Sequence, residues 1–366
     1  MLELAADLVP RLRAGERLAV VTVTAVARSA PRGTGASMAV TGAGDVIGSI
    51  SGGCVETDAV ALAHEARLSG AGRTARFGFS DATAHAAGLA CGGEIEVVAY
   101  PLDSGDAIAM AALDGALNDE QVTVSLVVRG PDAGTFRAAS DADPRDDALL
   151  TLSHAPRPRL LVLGAGDYAA ALCRTASTAG YAVTVCDAWE LLVTRARFPD
   201  AADLVAAIPA DYLVAEAAAG RLDSRSVVCV LTHDERLDVP ALEVALRLPV
   251  AFVGALGARR TVARRADLLL RRGLNHLELE RLHSPLGLDL GATTPEETAI
   301  SILAEVVAAR RGGPGTPLRD SPTPIHRNER RGNHPDKLRD EQRSERRGAA
   351  SGTAAGSACG IAEPAR

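Results

Sequence analysis

At 366 residues, with 47% apolar and 23% charged residues, the chain has the composition of a globular protein of two or three domains. Residues 310–366 carry 12 basic and 7 acidic side chains, so residues 1–309 hold a net charge of −12. An acidic body excludes nucleic acid as its main partner. No apolar run is long enough to span a membrane and no N-terminal signal is present, so we expect a cytoplasmic protein with no membrane partner.

Residues 1–152 predict an N-terminal α+β domain with a mixed sheet. Helices are expected at 2–13 and 55–68, strands at 17–27, 73–79, 94–100, 121–129 and 149–152, and a hairpin at 37–50. Residues 102–120 are expected to form a helix or a surface loop. Gly-rich turns at the ends of such elements are where a scaffold of this kind builds a site.

Two turns of this domain combine glycine with cysteine. The candidate residues are Gly52, Gly53, Cys54 and Glu56 in the first turn and Cys91, Gly92 and Gly93 in the second. Because Cys54 stands where a helical pattern begins, unpaired N–H groups there favour a thiolate or a bound phosphate. The alternative is a simple turn with Cys54 as a small buried hydrophobic residue.

The Pro-rich segment 153–158 predicts a linker, and residues 159–310 predict a Rossmann-like domain with a doubly wound parallel sheet. A buried strand runs into Gly164-Ala165-Gly166, a helix and a second strand follow, and Asp187 ends that strand 23 positions after Gly164. This order is typical of dinucleotide binding, although the same turn also occurs as a purely structural one. Asp187 would repel a 2′-phosphate, which favours NAD, or a cytidine- or adenosine-type ribose, over NADP.

Two further loops are expected to meet this turn, because the carboxyl ends of parallel strands share one crevice. They contain His233 and Asp234, and Gly257 with Arg259 and Arg260. His233 suits an acid, a base or a ligand gate, or else bonds to its own loop. The two arginines begin a helix, where they oppose its dipole, which favours anion binding over the alternative of a plain solvated face. Residues 311–366 are nearly devoid of apolar side chains and are expected to be disordered.

Taken in order from about residue 10 to residue 310, these motifs resemble the XdhC/CoxI-type accessory proteins of molybdenum hydroxylases. The segments that carry the resemblance are 48–56, 91–93, 164–166, 232–234, 238–242, 254–260, 285–292 and 294–297. The chain departs from the family pattern at Trp189 and Thr293, where the family often has a basic residue, and at Ala258, where it often has Ser. The two lost charges weaken the case for tight phosphate binding in the Rossmann half.

The resemblance implies a non-catalytic chaperone that binds the molybdenum cofactor, as molybdopterin or its cytosine dinucleotide. It implies that a cysteine desulfurase supplies the terminal sulfur, that a molybdenum hydroxylase apoenzyme of the xanthine or carbon monoxide dehydrogenase type receives the cofactor, and that the protein forms a homodimer. Soft sulfur ligands suit such a metal, so Cys54 and Cys91 are the expected contacts to molybdenum or its sulfur.

The alternative function is an NAD-dependent oxidoreductase. It rests on the complete βαβ pattern, with His233 as acid or base and Asp187 on the ribose. The sequence offers it no catalytic dyad, and the first half has no place in a simple dehydrogenase.

Overall fold

A computed structural model describes residues 1–27, 30–78, 94–141, 143 and 145–320. The chain divides into two compact units, Met1–Thr316 and Pro317–Arg366. The second unit is described only through a 3₁₀ turn at Leu318–Asp320, and residues 321–366 of the predicted disordered tail lie outside the described residues. Among the described helices, none has the length and apolar content needed to cross a membrane.

The first half of Met1–Thr316 is built from two antiparallel sheets. Its helices are α1 (Ala5–Arg13), α2 (Glu56–Ser69) and α3 (Ala107–Leu117). Its strands are β1 (Leu18–Ala27), β2 (Ser37–Val40), β3 (Val46–Gly48), β4 (Arg73–Gly78), β5 (Glu94–Leu102), β6 (Val122–Val127), β7 (Phe136–Ala138) and β8 (Leu149–His154). They form a five-stranded sheet in the order β3-β2-β1-β5-β4 and a three-stranded sheet in the order β7-β6-β8.

The predicted α+β class is confirmed, but the predicted mixed sheet is antiparallel in every described strand pair. A parallel pair needs a crossover between two neighbouring strands. The crossover helix in this half, α2, connects β3 with β4, and those strands lie at opposite edges of the sheet. The helix therefore creates no parallel pair.

The five-stranded sheet buries both of its faces. One face packs with α1, α3 and the three-stranded sheet around Leu8, Tyr100 and Leu113. The other face packs against α2 through Val21, Met38 and Ala63, which is the alternation expected for strands covered on both sides. This packing fixes the first turn of α2, and with it the Gly-Gly-Cys segment, against the sheet.

The second half is a six-stranded parallel sheet in the order β11-β10-β9-β12-β13-β14. Its strands are β9 (Arg159–Leu163), β10 (Ala182–Asp187), β11 (Asp203–Ala206), β12 (Val227–Val230), β13 (Phe252–Ala255) and β14 (Leu282–His283). Its helices are α4 (Asp167–Thr178), α5 (Pro209–Ala218), α6 (Glu235–Ala245), α7 (Arg259–Arg271), α8 (His276–Glu280) and α9 (Pro295–Arg311).

Helices cover both faces of this sheet, so the predicted doubly wound Rossmann-like fold is confirmed. Residues of α4 and α9 form one core with the strands, and residues of α5, α6 and α7 form the other. The strand order reverses between β9 and β12, where the chain returns from the β11 edge to the centre. Ligands of open α/β sheets bind outside the carboxyl ends of the strands at such a point.

Candidate functional site

The Gly-Gly-Cys segment forms a tight turn between β3 and α2. Gly52 and Gly53 have φ values of +80° and +115°, a region that side chains disfavour. The side chain of Cys54 is half-buried at the edge of the core under α2. The glycines are therefore required for the turn itself, and the turn fixes where the sulfur lies.

Five consecutive backbone N–H groups in this turn already have acceptors within it. Glu56 accepts from the N–H groups of Ser51 at 3.0 Å and Gly53 at 2.9 Å. Two serine hydroxyl oxygens accept the others: Ser49 Oγ from Gly52 at 2.8 Å, and Ser51 Oγ from Cys54 at 2.9 Å and Val55 at 3.1 Å. The prediction of unpaired N–H groups for a thiolate or a bound phosphate is therefore wrong at these five positions, because the protein's own carboxylate and hydroxyl oxygens accept from them.

The Glu56 carboxylate is strongly held in its ionised form. Both serine hydroxyls donate to it, Ser49 to Oε1 at 2.6 Å and Ser51 to Oε2 at 2.5 Å. Burial raises the pKa of Glu56, but these hydrogen bonds outweigh burial and lower the pKa from 4.5 to about 2. Glu56, predicted as a cofactor-binding residue, thus holds the turn that presents Cys54.

The second Gly/Cys turn, Cys91-Gly92-Gly93, lies outside the described residues. The predicted joint contact of Cys54 and Cys91 with molybdenum therefore remains a prediction. In the part of the chain that the structure describes, no group of three or more His, Cys, Asp or Glu side chains is arranged to hold a metal ion. Among the described cysteines, Cys54 is half-buried and Cys173, Cys186 and Cys229 are buried, so Cys54 is the described candidate for a sulfur contact.

The turn Gly164-Ala165-Gly166 lies where the Rossmann pattern predicted it, between β9 and α4. A side chain at Gly164 would come within 2.8 Å of the backbone after β12, so this position requires glycine. Asp187, at the end of β10, is only 5% exposed. Its Oδ2 accepts from the Ala165 N–H at 2.8 Å and its Oδ1 accepts from the Trp189 N–H at 2.9 Å.

A cavity of about 350 Å³ opens at the carboxyl ends of the central strands. Its lining is Tyr168, His233, Leu256, Gly257, Ala258, Thr261, Arg265 and Thr298. The structure therefore brings His233 and Gly257 together beside the first turn of α4. The backbone of His233 has a φ of +61°, which is rare for a residue with a side chain.

Other predicted residues of this crevice lie in different positions. Asp234 caps α6, accepting from the Arg236 N–H at 2.9 Å and pairing with the Arg236 guanidinium at 2.7 Å. Arg259 and Arg260 are exposed in the first turn of α7. That turn has no acidic residue, and its N-cap, Ala258, provides no side-chain cap. Its positive end is thus open to an anion.

A buried ion pair lies directly beneath the cavity. Arg265 and Asp238 are 3% and 2% exposed, and their atoms Nη2 and Oδ2 are 2.8 Å apart. Arg265 also donates to the Leu256 carbonyl at 3.0 Å, and Thr232 donates to Asp238. Burial raises the pKa of Asp238, while the bonds from Thr232 and Arg265 act against that rise. This network connects the loop after β12, which contains His233, with the loop after β13, which contains Leu256.

The sequence reasoning missed several residues of the cavity wall, namely Tyr168, Thr261, Arg265 and Thr298. Arg265 left a readable signal, because it shares the buried stripe of α7 with Leu269. A charge in an apolar stripe needs a buried partner. The three other side chains are ordinary surface types whose placement depends on how α4, α7 and α9 pack.

Two family models match the chain, one for each half. The model described as the XdhC Rossmann domain matches residues 160–306. The model described as the XdhC and CoxI family matches residues 11–78, which include the Gly-Gly-Cys turn. Together they cover the central strands of both sheets.

Curated relatives resemble the chain over different lengths. An uncharacterized protein of Escherichia coli, YqeB, is 33% identical over 162 residues, 44% of this chain but only 29% of that protein's length. The E. coli molybdenum cofactor insertion chaperone PaoD is 27% identical over 82% of this chain and 86% of its own length. A Bacillus subtilis protein named as a probable xanthine dehydrogenase subunit is 26% identical over 81% of this chain and 94% of its own length.

A solved structure shares the fold of the chain. The crystal structure of a xanthine dehydrogenase from Bacillus halodurans superposes with a TM-score of 0.69 at 24% identity, covering 87% of this chain and 98% of that one.

Proposed function

Because the chain belongs to the XdhC and CoxI family, we propose that it is an accessory chaperone that binds the molybdenum cofactor and inserts it into a molybdenum hydroxylase apoenzyme of the xanthine dehydrogenase type. One observation carries this proposal: both halves match their family models in order, over residues 11–78 and 160–306. The similarity to PaoD, which extends over 86% of that chaperone, supports it. The cofactor is the cargo of such a protein.

Cys54 is the residue that we assign to the sulfur side of the cargo. A thiolate is a soft ligand suited to molybdenum and its sulfur. The turn that carries Cys54 is fixed by Glu56 and by glycines that no other residue replaces without strain. Cys91, with Gly92 and Gly93, is proposed to contribute from the second turn. Sulfuration with sulfur from a cysteine desulfurase, and assembly as a homodimer, belong to the same proposal.

The cavity in the second half is proposed to receive the phosphate-bearing part of the cofactor, as molybdopterin or its cytosine dinucleotide. The uncapped first turn of α7 and its guanidinium groups, Arg259 and Arg260, favour an anion there. Gly257 and His233 are among the residues that line this cavity. The domain division at residues 153–158 is part of this proposal, with one group of contacts on each side.

The test is retention of molybdenum by the purified protein. After incubation with isolated molybdenum cofactor and desalting, we expect near-stoichiometric molybdenum on the wild-type protein. We expect a loss of at least about tenfold in affinity for Cys54→Ala, since a metal–sulfur contact is removed. Arg259→Ala with Arg260→Ala should weaken binding more at low salt than at high salt.

Cys173→Ala is the matched control, because Cys173 is buried in α4, in the core of the second half. Equal retention by Cys54→Ala and wild type would reject the thiol role. Failure of the wild-type protein to retain molybdenum would reject the cofactor carrier itself.

An NAD-dependent oxidoreductase is the second candidate, and the strand order of the second half favours it. Two observations weigh against it. Both Asp187 oxygens already accept backbone hydrogen bonds, and the described lining of the cavity has no carboxylate to pair with His233. Calorimetric titration with NAD and NADP tests it, and absence of heat from both would reject it.

A further inference from the structure

A large aromatic side chain is exposed beside the glycine turn of the second half. Trp189, the single tryptophan of the chain, follows the end of β10 by two residues and is 67% exposed. Tryptophan is among the residues with the most to gain from burial, since its ring combines a large apolar area with a polarised face. Exposed apolar side chains that cluster mark a binding site, and Trp189 is followed in the same 3₁₀ turn by Leu191, which is 87% exposed.

The backbone of Trp189 is anchored to that turn. The Asp187 carboxylate accepts from the Trp189 N–H with one oxygen and from the Ala165 N–H with the other, at 2.9 and 2.8 Å. The Trp189 carbonyl accepts from the Leu192 N–H at 2.9 Å, closing a 3₁₀ turn. Because these hydrogen bonds hold both the N–H and the carbonyl of Trp189, the backbone that carries the exposed ring is fixed.

The neighbouring strand provides a second apolar side chain at the same end of the sheet. Asp187 pairs with Ala206 of β11, and the Ala207 N–H donates to the Asp187 carbonyl at 3.0 Å. Ile208, the next residue, is the N-cap of α5 and is 51% exposed. Trp189 and Ile208 thus emerge from adjacent strand ends, on the β10–β11 side of the glycine turn.

The cavity with His233 lies on the other side of the glycine turn, next to β12 and β13. A ligand that crosses the turn has one end in that cavity and the other at Trp189. Two-ended ligands with a central pyrophosphate fit this layout, because they bind across the point where the strand order reverses. The end that meets an exposed aromatic face is best matched by a planar base, since stacking uses the π-face common to all bases.

We propose that Trp189, with Ile208 beside it, is the stacking platform for the nucleobase of a nucleoside diphosphate unit. The inference rests on the proposed function, and it names the dinucleotide form of the cofactor as the one that the second half is shaped to hold. Asp187 is a positioning residue in this site, because its carboxylate holds the backbone of Trp189 to the turn.

The single tryptophan makes the test direct. Titration of the wild-type full chain with CDP and with ADP should quench its tryptophan emission in a saturable way, and the two nucleotides distinguish a cytosine source from an adenine source. Inorganic pyrophosphate, which has no base, should leave the emission unchanged. By calorimetry, Trp189→Ala should weaken binding of the preferred nucleotide by between about 5-fold and 100-fold, and Trp189→Phe by only a few-fold.

Leu191→Ala is the matched control, because Leu191 lies in the same turn and is 87% exposed, and its binding should equal that of wild type. Absence of quenching by both nucleotides, equal quenching by pyrophosphate, or wild-type affinity in Trp189→Ala would each overturn the proposal. An emission change that appears only with a molybdenum hydroxylase apoenzyme would overturn it in favour of a protein-docking surface. Nucleotide binding without molybdenum retention would uphold the platform and reject the carrier function.

Discussion

Glu56 shows what a single residue contributes to the first site. The sequence predicted unpaired N–H groups at the start of α2 that favour a thiolate or a bound phosphate, whereas in the structure this carboxylate and two serine hydroxyls accept from them. The carboxylate closes the turn by accepting hydrogen bonds from Ser51 and Gly53, and the closed turn holds Cys54 in place at the helix start. The spacing of glycines, cysteine and glutamate was readable from the sequence. The sequence did not show which acceptor would bind the N–H groups, because a side-chain oxygen and a bound anion can both take that position.

Replacing Glu56 by Gln should destabilise the protein in a pH-dependent way. The folded pKa of about 2 lies below the ordinary 4.5, so the ionised carboxylate stabilises the fold above pH 4.5, and this stability is lost as the pH falls towards 2. After solvent screening we expect Glu56→Gln to lower the free energy of unfolding by about 1–2 kcal/mol at pH 7. Urea unfolding of wild type and Glu56→Gln at pH 7, 5 and 3.5 measures the difference in their free energy of unfolding. This difference should become smaller only at pH 3.5.

Asp58→Asn is the control for this prediction, since Asp58 is exposed in the same helical turn. Its effect should stay within about 0.5 kcal/mol at every pH. A Glu56→Gln protein as stable as wild type at pH 7 would contradict the role given to the carboxylate.

Two ion pairs join helices α6 and α7, one buried and one at the surface, and the buried pair supports the cavity. Arg265 and Asp238 pair in the core, whereas Arg264 and Glu235 pair at the surface 2.8 Å apart, on the same two helices. Breaking a buried pair leaves an uncompensated charge away from water. The cavity floor therefore depends on the two buried side chains together.

Asp238→Ala should lower the free energy of unfolding by about 3–5 kcal/mol, because Arg265 remains buried without its carboxylate. Glu235→Ala, which breaks the exposed pair on the same helices, should cost less than about 1 kcal/mol. The double variant Asp238→Leu with Arg265→Met should recover at least half of the loss. Urea unfolding of wild type and these three variants measures all three values. Equal costs for Asp238→Ala and Glu235→Ala would show that the buried pair has no special role.

The sequence predicted those helices and strands that the local pattern of residues determines. The apolar run before Gly164, the helix after it and the acid at Asp187 predicted a parallel βαβ unit, and the capping box at Thr294 marked the start of α9. Strand direction in the first half was not readable, because both faces of the five-stranded sheet are covered, and β1 therefore contains a continuous buried run of the kind that parallel strands also show. The short strands β7 and β14 were missed, since three and two residues are too few to show a period.

In the whole molecule, a short segment joins the half with antiparallel sheets to the half with the parallel sheet, and it forms hydrogen bonds to both. The backbone and side-chain N–H groups of Arg157 donate to Asp119 of the first half at 2.8 and 2.9 Å. The Pro156 carbonyl accepts from Arg225 of the second half at 2.9 Å. A cofactor with a sulfur-bearing end and a phosphate-bearing end suits a chain that carries a thiol turn in one half and an uncapped basic helix start in the other.

Transfer of the cargo is the measurement that tests the carrier function most directly. The protein is loaded with molybdenum cofactor, freed of unbound cofactor, and mixed with a cofactor-free xanthine dehydrogenase-type apoenzyme. Molybdenum is then quantified in each protein after size separation. We predict that molybdenum moves to the apoenzyme and that hydroxylase activity rises in proportion. Molybdenum that stays on the chain, or an apoenzyme that gains no more than it does from free cofactor, would contradict the carrier function.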